Sequence, residues 1–265
     1  MHSTTALATS LMRAVHTRLD DHPLIEDLWG ERLVSESARR IFLDAALSKM
    51  DPETRAEALR SPGTVLDAWL RRSPAYANVI LRTRFAEDAL KTAVARGIRQ
   101  YALIGAGFDS FALRQPAFAA DLQIFEVDSP ATQNFKRARL GECGVSLSSS
   151  VHFIAADLSQ ETLSLALARS TFDTRLLSFF SWLGVTMYLS REANLATFRS
   201  IAACVPVGSE LVFTYWTSGR SRCNRRTFAK CERGWRLLGS LLYRVSIPVR
   251  SHKSSRTAAF GSSKT

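Results

Sequence analysis

Between residues 99 and 216 the chain alternates short apolar runs with segments of helical spacing, and this alternation limits the folds open to it. The runs are YALIG (101–105), DLQIFEVD (121–128), VHFIAAD (151–157), LLSFFSW (176–182) and ELVFTYW (210–216). Helical stretches follow from Ala131 to Leu140, over SQETLSLALA, and from a capping Ser190 to about Cys204. Strands that take turns with helices predict an α/β fold around a parallel sheet. In such a sheet ligands sit beyond the carboxyl ends of the strands, where the strand order reverses.

The preceding residues read differently. LATSLMRAVHTRL, SARRIFLDAALSKM and PGTVLDAWLRRS carry apolar residues at three- and four-residue spacings, and a further helical region covers 74–98 up to Gly97. Residues 1–98 are therefore expected to form a helical lead-in, 99–216 the sheet-bearing core, and 217–265 a divergent tail. The tail holds 12 of the 35 Lys and Arg residues against one acid, Glu232, so it carries the whole net charge of +11. Without it the chain is balanced, and a nucleic-acid or membrane partner is not expected. Neither a membrane-length apolar run nor a secretory leader is read at the N-terminus, and the four cysteines show no paired framework. A cytoplasmic location is the expectation. Five scattered histidines give no metal-ligand spacing.

The first run breaks into Gly105-Ala106-Gly107, with Asp109 two residues later and Ser110 where a dinucleotide fingerprint would place a third glycine. No role for the Ser110 side chain is read from the sequence. A carboxylate beside a pyrophosphate would cost on the order of 1–4 kcal/mol. An adenosine cofactor without phosphates, carrying a cationic amino-acid end, suits Asp109 instead. S-adenosylmethionine is such a molecule. Asp128 ends the second run 21 residues after Gly107, the spacing at which an acid meets ribose hydroxyls, with Glu126 as its competitor. Asp157 and Leu158 end the third run. They either read an adenine, by carboxylate and backbone N–H, or form the cap of the following segment.

Four ordered blocks carry a resemblance: ILRTRFAEDALKTAVARGIRQYALIGAGFDSFALR, IFEVDSPATQNFKRARL, VHFIAADL and FFSWLGVTMYLSREA. With RAVHTRLDDHPLIEDLWGERLV before them, they resemble the S-adenosylmethionine-dependent methyltransferases related to leucine carboxyl methyltransferase, over roughly residues 5–216. The resemblance implies a class I, Rossmann-like methyltransferase fold with a helical cap over the active site. It implies Gly105 at the methionine moiety, Asp128 on the ribose, Asp157 and Leu158 at the adenine, and Arg82 or Arg84 on the methionine carboxylate; Ala106, Gly107 and Asp109 of the loop complete the expected cofactor site. It also implies methyl transfer to an oxygen of a small-molecule carboxylate or hydroxyl. No catalytic base is assigned. Tyr188 and His152 are the nearest candidates, and His152 starts a strand, away from the ligand end. Where the leucine carboxyl methyltransferases place a glutamate after the fourth strand, this chain has Trp182-Leu183-Gly184. The rival readings are a nicotinamide-dependent oxidoreductase, which Asp109 and Ser110 disfavour, and an inactive binding protein with a basic tail.

A class I fold needs two further strands after residue 216. The tail offers one weak alternation, Tyr243-Val245-Ile247-Val249, crossed by Pro248. The C-terminal strands are therefore expected to be missing or aberrant, as they would be in a tail read out of frame, leaving the fifth strand an exposed edge.

Overall fold

The computed structural model describes residues 4–216, 235–237 and 240–247. Six helices come first: α1 (Thr4–Leu19), α2 (Trp29–Leu33), α3 (Glu36–Leu47), α4 (Pro52–Ala58), α5 (Pro62–Arg72) and α6 (Tyr76–Ala95). The alternating region then gives β1 (Gln100–Ile104), α7 (Phe111–Arg114), β2 (Gln123–Asp128), α8 (Pro130–Glu142), β3 (Val151–Ala155), α9 (Leu163–Ala168), β4 (Ser178–Trp182), α10 (Arg191–Cys204) and β5 (Glu210–Trp216). Two strands close the sheet, β6 (Trp235–Leu237) and β7 (Ser240–Ser246). The spatial order is β3-β2-β1-β4-β5-β7-β6. Strands β1 to β5 run parallel and the last two pairings are antiparallel.

Local chemistry accounts for the boundaries. Ser35, Ser129 and Ser190 cap α3, α8 and α10 by accepting a backbone N–H from the residue three positions on. Pro130 follows its cap at the first helical position, where a missing N–H costs nothing. Every residue of β1 and β4 is buried, as central strands covered on both faces require. One face packs Ile104, Phe125, Phe180 and Trp182 against Leu163 and Ile201 from α9 and α10. The other packs Leu103, Ile124 and Phe179 against Leu90 of α6 and Phe111 of α7. A third cluster joins Leu7, Leu11 and Val15 of α1 to Leu33, Phe42, Leu70 and Phe108, fastening the lead-in helices to the core.

The expectation of missing C-terminal strands is overturned. β7 pairs with β5 along its whole length, from Glu210 opposite Ser246 to Trp216 opposite Ser240. β7 ends at Ser246, and Pro248 lies outside the described residues. The rest of the tail, where the basic composition is concentrated, lies outside the described residues.

Candidate active site

The strand order reverses between β1 and β4, and there a cavity of about 350 Å³ opens beyond their carboxyl ends. The β1 loop lines it from Gly105 to Asp109, together with Arg82 of α6 and Asp128 at the end of β2. Leu183, Gly184, Val185 and Tyr188 line it from the segment after β4, and Thr5, Ala6, Thr9 and Arg13 from α1.

Gly105 and Gly107 hold φ of +68° and +50°, a region that favours glycine. A Cβ on Gly105 would stand 2.3 Å from a methyl of Val185. Asp128 is fixed in place by its neighbours. Its Oδ2 accepts the Gly107 N–H at 2.6 Å and its Oδ1 accepts the Ser129 N–H at 2.6 Å. Burial pushes its carboxyl above the ordinary range, and these two hydrogen bonds oppose that push. Glu126, the competing acid, never reaches the cavity. It is buried in an ion pair with Lys136 at 2.6 Å, and the same ammonium donates to the Asp109 carbonyl at 2.7 Å.

Asp109 lines the cavity and also caps α7, its Oδ1 accepting the Phe111 N–H at 2.8 Å. Arg82 contributes the opposite charge. Its guanidinium donates to Asn78 Oδ1 at 3.3 Å and makes no ion pair among the described residues. Burial, with Arg13 adding repulsion, holds its pKa down to about 10. A Cβ on Gly184, whose φ is +70°, would lie 2.5 Å from the nearer guanidinium nitrogen. The glycine of the Trp182-Leu183-Gly184 run thus leaves the space that Arg82 fills.

Three expected site residues stand elsewhere. Two positions on from Arg82 along a helix is more than half a turn. Arg84 accordingly faces outward, bonded to Asp88 and the Leu24 carbonyl at 2.9 Å each. Asp157 is exposed and closes its own turn, accepting from the Ser159 N–H at 2.9 Å and its hydroxyl at 2.6 Å. It does not cap α9, whose N-cap is Thr162. Leu158 packs against the apolar cluster beneath α9 and α10. Of the base candidates, Tyr188 stands at the cavity with 63% of its surface exposed. His152 stacks on Phe125 and bonds Gln123 at 2.9 Å, outside the lining.

Ser110 also corrects the sequence reading. Its hydroxyl donates to Asp27 at 2.5 Å and accepts from Arg114 at 3.0 Å, in a fully buried setting. Arg13 was likewise unread; α1 was expected only as part of a helical cap with no lining residue named, and Gly184 only as one of the residues ending the fourth strand. Only Gly184, a glycine just past a strand end, carried a local signal.

The family model for leucine carboxyl methyltransferase matches residues 6–202. The chain belongs to that family, whose methyl donor is S-adenosylmethionine. Among family relatives, YktD of Bacillus subtilis, a candidate S-adenosyl-L-methionine-dependent methyltransferase, is 29% identical over 80% of this chain and 70% of its own. A candidate enzyme of the same description from Mycobacteroides abscessus is 31% identical over 77% of this chain and 65% of its own. The chain thus spans about two thirds of the length of these relatives. A solved structure, a candidate methyltransferase from Thermobifida fusca, covers 78% of this chain and 94% of its own with a TM-score of 0.52 at 16% identity. That likeness concerns the fold, and it agrees with a class I, Rossmann-like sheet.

The family's cofactor fits the residues present. It bears a carboxylate, an ammonium and ribose hydroxyls. The cavity offers, at Arg82, a guanidinium with no ion pair among the described residues, carboxylates at Asp109 and Asp128, and a loop whose glycines leave room for close approach.

Proposed function

We propose that this chain is an S-adenosylmethionine-dependent methyltransferase acting on an oxygen of a small-molecule carboxylate or hydroxyl. The observation that carries the reading is the pairing of charges in one cavity. The Arg82 guanidinium makes no ion pair among the described residues, while the Asp128 carboxylate is held ready at a strand end by two backbone N–H groups. Arg82 would receive the cofactor's carboxylate as a forked donor. Asp109 would face its ammonium, and Asp128 would accept from the ribose hydroxyls. The bound cofactor supplies an electrophilic methyl group on a sulfonium.

The chain's remaining task is placement and exclusion of water. Ala6, Leu183 and Val185 supply apolar wall, and α1 closes one side of the cavity. Tyr188 stands where an acceptor would approach. A carboxylate acceptor needs no base, whereas a hydroxyl acceptor profits from one. The Tyr188 phenol is the titratable group placed to serve it.

Calorimetric titration with S-adenosylmethionine, S-adenosylhomocysteine and NADH tests the cofactor assignment. Binding of the first two and not the third is expected, and preference for NADH would overturn it. Transfer of a tritiated methyl group to a panel of carboxylic acids, phenols, amines and thiols then tests the acceptor. Label appearing only on nitrogen or sulfur would refute the oxygen assignment.

A further inference from the structure

The cavity is walled on one side by α1, and a buried carboxylate holds that helix against the β1 loop. Asp27 has a fully buried side chain, and Arg13 opposite it is 5% exposed. Asp27 Oδ2 accepts from Arg13 Nε at 2.7 Å and from the Ser110 hydroxyl at 2.5 Å, while its Oδ1 accepts the Trp29 N–H at 3.0 Å. Its own backbone N–H donates to the Thr17 hydroxyl of α1 at 2.8 Å. Arg13 turns its remaining nitrogens to the Phe108 carbonyl at 2.7 Å and the Thr9 carbonyl at 3.4 Å. Arg114, which donates to the same Ser110 hydroxyl, forks onto Glu87 of α6 at 2.5 and 3.2 Å.

These bonds join the cap to the two residues on either side of Asp109. Phe108 follows Gly107, whose N–H fixes Asp128. Thr5, Ala6, Thr9 and Arg13 lie on one face of α1 and all line the cavity. A shift of α1 would therefore move the cavity wall and the Phe108 carbonyl together. An isolated buried carboxylate is expensive, and this one is matched by a guanidinium and a hydroxyl that belong to two different parts of the chain. Burial pushes the Asp27 carboxyl up, but Arg13, Arg114 and Ser110 together leave it below its ordinary value, so it stays ionised.

We infer that Asp27 is a positioning residue for the cofactor site, tying α1 to residues 108–110 through Arg13 and Ser110 so that cap and loop enclose the cavity as one unit. The inference rests on the reading of that cavity as the cofactor site. It also gives the serine at position 110 a function that a glycine there would lack.

The full-length protein and its Asp27→Asn and Ser110→Ala variants test this, with Leu167→Ala as a destabilised control remote from the cavity. Dissociation of S-adenosylhomocysteine is followed by stopped flow, binding stoichiometry by calorimetry, and α1 amide exchange by mass spectrometry without ligand. Asp27→Asn should release the ligand at least tenfold faster at unchanged stoichiometry, with faster exchange in α1. Ser110→Ala should do the same more weakly, and it serves alone if Asp27→Asn does not fold. The double variant should dissociate no faster than Asp27→Asn. If dissociation follows thermal stability alone, as in Leu167→Ala, or if α1 exchange is unchanged, the inference fails. If the wild type binds no adenosyl ligand, the cofactor reading fails, and α1 exchange still decides whether Asp27 holds the cap.

Discussion

Replacing Gly184 by alanine isolates the contact on which the cofactor reading depends. The added methyl would stand 2.5, 2.7 and 2.8 Å from the two terminal nitrogens and the central carbon of the Arg82 guanidinium. Unstrained contact needs about 3.5 Å, so the guanidinium must move by roughly 1 Å. The side chain is flexible at that end, so the steric part costs the fold little. The backbone part does not vanish. A φ of +70° costs a non-glycine residue about 1–2 kcal/mol, which for a chain of this size lowers Tm by roughly 2–8 °C. Binding should suffer separately. Losing a charge-assisted fork to the cofactor carboxylate is worth about 1.5–3 kcal/mol, a ten- to hundredfold weaker Kd. A double-mutant cycle separates the two effects. In an Arg82→Ala background, Gly184→Ala should still lower Tm but should leave the Kd for S-adenosylhomocysteine unchanged within about twofold. Calorimetry and thermal melts on the four proteins provide the values. Wild-type affinity in Gly184→Ala, or an equal loss in both backgrounds, would refute the argument.

Other expectations follow from the same geometry. Arg84→Ala should leave cofactor affinity unchanged in the calorimeter, since Arg84 faces outward, whereas Arg82→Ala should weaken it at least tenfold. Asp128→Asn should weaken binding about a hundredfold at neutral pH, and wild-type affinity should fall on acidification through a pH above the usual carboxylate value. Because the folded-state pKa of Asp128 is raised, its ionised form costs stability at neutral pH. That cost disappears as pH falls toward 3.8, so melts should show wild type gaining on Asp128→Asn in that direction. Lys136→Met should cost about 3–5 kcal/mol in urea unfolding by leaving Glu126 unpaired, and the double variant with Glu126→Leu should recover most of it. Arg244→Ala should destabilise the sheet by roughly 1–3 kcal/mol, read by the same method, because buried Glu210 loses its 2.6 Å donor and keeps only Arg96.

The core was legible because each strand there combines an apolar run with a chemical ending. Gly105-Ala106-Gly107 and Asp128 could be placed on one side of the sheet from spacing alone, and the structure brings them within one hydrogen bond of each other. Arg82 and Arg84 were indistinguishable in the sequence because both stand in one R-T-R run. Only the rotation of α6 against β4 separates them. Asp157 stands two residues past the end of β3, at the sheet edge and away from the switch point, and its carboxylate closes on Ser159. The pairing of Asp27 with Ser110 spans 83 residues and leaves no periodic trace, so no local pattern could have shown it.

The final strands were misread for a different physical reason. Alternation marks a strand with one wet face, whereas β7 buries two adjacent residues, Leu242 and Tyr243, and exposes Ser246 at its end. Lying between β5 and β6, it sends Leu242 into the cluster under α6 and Tyr243 into the opposite cluster under α10. A stretch buried on both faces reads as a continuous apolar run, so Leu242 and Tyr243 lacked the expected alternation. The alternation the sequence does carry, Tyr243-Val245-Ile247-Val249, runs past the end of β7 at Ser246 and across Pro248. β5 is paired along its whole length rather than exposed, which removes the physical cause for aggregation through that strand.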